Sequence, residues 1–144
     1  MKDNLTAYKQ AEILGKSQLE LVIQVYDGAI DAFKGARDAY ADGDSDEGFR
    51  QLEKARRFVT HLYTTLDMEN GGSIANQLSK LYAFIINQTN VIEGTKDLKQ
   101  IDDNINILNN IRLGWQGLKE QQDEEKKSGQ PASSETNQPV VTTA

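Results

Sequence analysis

The chain has 144 residues, a formal charge of -6 and no cysteine. That length holds one domain with a core of its own, and the acidic balance excludes a nucleic-acid surface, which needs clustered Lys and Arg to neutralise phosphate. Without thiols there is no disulfide and no thiolate zinc site. The basic cluster Lys54, Arg56 and Arg57 has Glu53 beside it and reads as a solvated helix face.

Met1 to Lys16 lacks a sustained apolar run and a cleavage pattern, so no secretory signal is expected. The first helix opens at Ser17-Gln18-Leu19-Glu20, a capping-box match. Leu19, Val22, Tyr26, Ile30, Phe33 and Tyr40 then recur at helical spacing up to a stop at Asp42-Gly43. A second helix starts near Asp44 or Ser45 and carries Phe49, Leu52, Ala55, Val59, Leu62 and Leu66. Gly71 and Gly72 end that segment, and Ser73 stands where it could cap a third helix running to about Gly94. The longest unbroken apolar run, Leu81 to Ile86, lies in this third helix. It is far short of the ~20 residues that span a bilayer, so a soluble, cytoplasmic protein is expected. The fourth helix starts near Asp97 and carries Leu98, Ile101, Ile105, Leu108, Ile111, Trp115 and Leu118. From Gln121 the chain turns to Gln, Glu, Lys, Ser, Thr and Pro, and 121–144 is expected to be a disordered tail. Helices of about 22 residues joined by short loops must run antiparallel to their neighbours. The expected fold is all-α: an up-down-up-down four-helix bundle over 17–120, with 1–16 as a separate N-terminal segment.

Two helices carry more apolar surface than the roughly 100° stripe a bundle core needs. At about 100° per residue, Leu81, Ile92, Ile85, Leu78, Tyr82, Ala75 and Ile86 fill an arc of roughly 140° in the third helix, with Phe84 and Val91 outside it. In the first helix the arc from Leu21 to Ile23 spans roughly 200°. Either a helix is buried on several sides, or a groove is held open for another chain or for the protein's own Leu5, Tyr8, Ile13 and Leu14. Gly28 and Gly35 share a stripe at the margin of the first arc. Glycine there permits close approach, from another chain or within the bundle.

Catalytic chemistry finds little to hold. His61 is the sole histidine and reads as a boundary residue, and no Glu-x-x-His pair or phosphate loop is present. Asp42, Asp44, Asp46 and Glu47 lack the full calcium-loop spacing. No enzyme activity, cofactor or metal is expected.

Tyr26-Asp27-Gly28-Ala29-Ile30, and Leu66-Asp67-Met68-Glu69-Asn70-Gly71-Gly72-Ser73-Ile74-Ala75-Asn76-Gln77-Leu78 with Leu81-Tyr82, resemble the flagellin-specific secretion chaperone FliS family. Ala7-Tyr8, Asp42-Gly43-Asp44 and Ile111-Arg112 with Trp115 agree in order and spacing. The resemblance implies a non-enzymatic cytoplasmic bundle that binds the disordered C-terminal segment of flagellin. It would keep that segment from polymerising before export, and would meet the flagellar type III export apparatus as a second partner. By matching position it makes Tyr8 a lid residue over the empty groove. Tyr26, Asp27 and Gly28 would line or shape the groove, and Ile74, Ala75, Leu78 and Tyr82 would supply apolar contacts. Two departures stand out: Gly15-Lys16-Ser17 where the family commonly has a proline, and Gln24 where it has a hydrophobe. The alternative reading is a bundle whose wide arcs bury a homodimer interface, weak or tight, with no flagellin client.

Overall fold

The computed structural model describes residues 18–127. Those residues form four helices: α1 (Gln18–Ala41), α2 (Ser45–Thr64), α3 (Gly72–Thr95) and α4 (Leu98–Lys127). Their directions follow from the links between them. Asp27 of α1 meets Arg112 of α4 and Arg37 meets Asp102, so one number rises as the other falls and the helices are antiparallel. Gly28 lies against Phe58, and Gly35 against Gln51, which sets α2 antiparallel to α1 in the same way. The expected up-down-up-down bundle is the fold observed.

Local chemistry explains most helix ends. The Asp44 carboxylate accepts from the Glu47 amide at 3.1 Å and caps α2. Asp97 accepts from the Lys99 and Gln100 amides at 2.9 and 3.3 Å and starts α4. Gly43 turns the chain at φ +81, a region that disfavours a side chain. The α2–α3 connection is held by Asp67, whose carboxylate accepts from the Asn70 amide and side chain at 3.0 and 2.9 Å. Those bonds lower the Asp67 pKa. The capping role expected of Ser73 does not occur: α3 begins one residue earlier, its N-cap is Gly71, and no side chain caps it.

Two other expectations are corrected. The tail was expected from 121, but α4 continues to Lys127. Residues 121–127 are Gln, Asp, Glu and Lys, which lose little by being helical even with nothing to bury. A pair four apart ties them to the preceding turn, with Lys119 donating to Asp123. Phe49, expected on the core stripe of α2, is 44% exposed. The Ser17 cap, the 1–16 segment with Tyr8, and the chain beyond Lys127 lie outside the described residues.

The roughly 200° arc of α1 has a plain cause. α1 is central, packing most extensively on α2 and next on α4, and it contributes twelve buried residues to the core. The α1–α2 approach is close because glycines admit rings from the facing helix. A Cβ on Gly28 would come within 2.5 Å of the Phe58 ring, and one on Gly48 within 2.4 Å of Tyr40. Of the four helix pairs adjacent around the bundle, α3 against α4 packs most sparsely.

Candidate protein-binding face

α3 has two faces that the sequence pattern separates cleanly. Ala75, Leu78, Tyr82, Ile85, Thr89 and Ile92 recur every three or four residues and are buried. Beside them run Ile74, Leu81, Phe84 and Val91. Ile74 is 57% exposed, Phe84 48% and Val91 39%, while Leu81 packs partly against the core. On α4, Ile107, Ile111 and Leu118 are partly buried against the core. The last turn of α2 adds exposed Tyr63, and the α2–α3 connection adds exposed Met68, near Ile74 in sequence. The outcome is an apolar flank along α3 that the bundle leaves partly uncovered.

What anchors α3 lies on its other sides. Arg56 of α2 donates through Nε to Thr89 Oγ1 at 2.8 Å and through Nη2 to Glu93 at 3.0 Å, while also pairing with Glu53. Tyr82 reaches diagonally through the core to α1, where its hydroxyl hydrogen-bonds that of Tyr26. The two rings meet edge to face with centroids 6.3 Å apart. Burial pushes the Tyr26 phenol up from 10.0 to about 12, against the smaller lowering influence of the Tyr82 hydroxyl and the Trp115 indole. Burial raises the Tyr82 pKa further, and the neighbouring Tyr26 adds to the effect. The Trp115 Nε1–H of α4 lies close to Tyr26, is buried, and meets no acceptor in hydrogen-bonding geometry among the described residues.

The eight residues singled out in the sequence therefore separate by location. Ile74 is on the surface of the uncovered flank. Ala75, Leu78, Tyr82 and Tyr26 are in the core and shape the flank from behind. Asp27 is half-exposed and held by Arg112, through Nε at 2.5 Å and Nη2 at 3.4 Å. That bond raises the Arg112 pKa. Gly28 is occupied from within the bundle by Phe58. Tyr8 lies outside the described residues. A cleft of about 230 Å³ beside Asp27 is lined by Glu20, Ile23, Gln24, Gln116 and Lys119, and Lys119 pairs with Glu20 at 3.7 Å. Gln24, the departure noted in the sequence, thus lies on a polar cleft rather than on the apolar flank. Phe84 and Val91 were visible as apolar residues outside the core arc, and their exposure makes them candidate contact residues.

A helical bundle that buries a complete core and still leaves an apolar flank open is the architecture of a protein-binding module. The chain matches the family model described as Flagellar protein FliS over residues 1–122, and it belongs to that family. It is 30% identical over 119 residues to the flagellar secretion chaperone FliS of Vibrio cholerae, covering 80% of this chain and 88% of that protein. It is likewise 30% identical over 110 residues to the flagellar secretion chaperone FliS of Salmonella typhimurium, covering 76% and 82%. A solved structure described as a flagellar chaperone from bacteria superposes with a TM-score of 0.69 at 22% identity, covering 81% of this chain and 97% of that one, and supports the fold. Among the described residues no helix is long and apolar enough to cross a membrane.

Proposed function

We propose that this protein is a cytoplasmic, non-enzymatic export chaperone that binds the C-terminal segment of flagellin and keeps it from polymerising before delivery to the flagellar export apparatus. Membership of the FliS family supports the reading. The observation that carries it is the uncovered flank of Ile74, Phe84 and Val91 on a helix whose core face is already complete. An amphipathic segment that is disordered when free would bury its apolar side there, and the area buried would offset an ordering cost of several kcal/mol. The role of Tyr8 as a lid belongs to the same proposal.

Calorimetry with the flagellin C-terminal peptide from the same genome tests it. The charged variants Ile74→Glu and Phe84→Glu are suited to the purpose, because both positions are exposed and tolerate charge without core damage. Affinity is expected to fall at least tenfold, about 1.4 kcal/mol, with helicity and melting unchanged. Wild-type protein that gives no heat with the peptide, yet sediments as a tight dimer, overturns the reading in favour of a homodimeric module.

A further inference from the structure

The flank on α3 is useful to a client only if α3 is held at one rotation about its axis, and the structure is economical in what holds it. The seam with α4 is sparse, and α1 lies diagonally opposite. Arg56 fixes the half of α3 that contains Thr89 and Glu93. The half that carries Ile74, Leu81 and Phe84 has a different polar anchor, the hydroxyl of Tyr82 on Tyr26. Tyr82 follows Leu81 directly and precedes Phe84 by half a turn, so a fixed Tyr82 dictates where both of those side chains point. Both phenols are fully buried, and an all-apolar pair of nearly the same shape, Phe on Phe, would fill the same volume without desolvating two hydroxyls. Polar atoms kept in a core at that cost select one arrangement among several that pack comparably well.

We propose that the buried Tyr26–Tyr82 hydroxyl pair is a positioning device, which fixes the rotation of the N-terminal half of α3 and so preorganises the apolar flank for its client. This rests on the reading that the flank binds a client segment. Tyr26 and Tyr82 are positioning residues in this scheme, acting through Leu81, Ile74 and Phe84 without touching the client. Loss of the pair returns rotational freedom to α3, which the client must then remove on binding.

The test compares wild type with the double variant Tyr26→Phe/Tyr82→Phe in the full chain. Its readouts are calorimetry against the flagellin C-terminal peptide, thermal melting, and amide exchange along α3. With both hydroxyls gone neither phenol is left unpaired, and the Trp115 Nε1–H beside Tyr26 already lacks an acceptor in hydrogen-bonding geometry, so melting is expected to stay near wild type. Affinity is expected to fall at least fivefold, and exchange to quicken between residues 74 and 84. Affinity within twofold of wild type would overturn the positioning role, whatever the melting shows. If the double variant melts well below wild type, the pair is a stability element and the proposal also fails. A wild-type protein that does not bind the peptide refutes the client reading instead, and unchanged exchange in the double variant then refutes the device separately.

Discussion

At the scale of single residues, the Tyr26–Tyr82 pair makes a prediction with a definite sign. Tyr82→Phe alone leaves the Tyr26 hydroxyl buried without its partner, which costs about 1–3 kcal/mol and lowers the melting temperature seen by circular dichroism. The pH dependence follows from the same burial. The folded Tyr26 pKa, about 12, lies above its ordinary value of 10.0, so its contribution to stability is full below pH 10 and is lost as pH rises through the folded value. The last increment of phenolate absorbance, from the buried pair, is therefore expected to coincide with loss of helical circular dichroism in strong alkali. Ionisation of every tyrosine near pH 10 with the helices intact would show that the pair is open to solvent. Gly28 offers a second sign to check. In the wild-type background Gly28→Ala forces the Phe58 ring aside and destabilises the bundle, whereas in a Phe58→Ala background it removes a helix-weakening glycine and should stabilise by up to about 1 kcal/mol. Chemical denaturation of the four proteins of that cycle would reveal whether the sign reverses.

At the scale of elements, the helices differ in how much of their placement was legible in the sequence. The order, direction and approximate ends of all four followed from apolar spacing, Asp44, Asp97 and the glycine turns, because these signals act within a few residues. Which helix is central did not. The roughly 200° arc of α1 read equally as a buried helix or an open groove, since an arc records how much surface is apolar and not which helix covers it. Phe58 and Tyr40 as the occupants of Gly28 and Gly48 were illegible for the same reason: each contact joins residues of different helices. The candidate face was half legible. Ile74 belongs to the sequence motif, and Phe84 and Val91 fall outside the core arc, but exposure is set by how neighbouring helices pack and not by the pattern of one helix. The end of α4 is not legible from composition, because Gln, Glu and Lys are polar and are also good helix formers. At this scale the ion pairs joining α1 to α4 also carry a prediction. Asp27→Asn weakens the charge-assisted bond to Arg112, and because both groups are partly solvated the melting temperature is expected to fall only slightly. A collapse of the fold in that variant would mean that the pair, and not the apolar seam, holds α4 in place.

For the molecule as a whole, the bundle has two unlike ends. At one end the α1–α2 and α3–α4 turns lie together, linked by Lys96 Nζ donating to Ser45 Oγ at 3.1 Å. At the other are the start of α1, the α2–α3 connection with exposed Met68, and the end of α4. The described chain therefore begins and ends at the same end of the bundle as Ile74. Size at micromolar concentration, by sedimentation, should be that of a monomer when alone and of a one-to-one complex when the flagellin peptide is present. A concentration-independent dimer that excludes the peptide would contradict the client reading. The closed end has a practical use. Asp42 there is exposed, and the chain has no cysteine of its own, so Asp42→Cys would carry a single dye or surface tether at a defined place. A bundle held by that end presents its α2–α3 connection, the start of α1 and the end of α4 away from the tether in one known orientation.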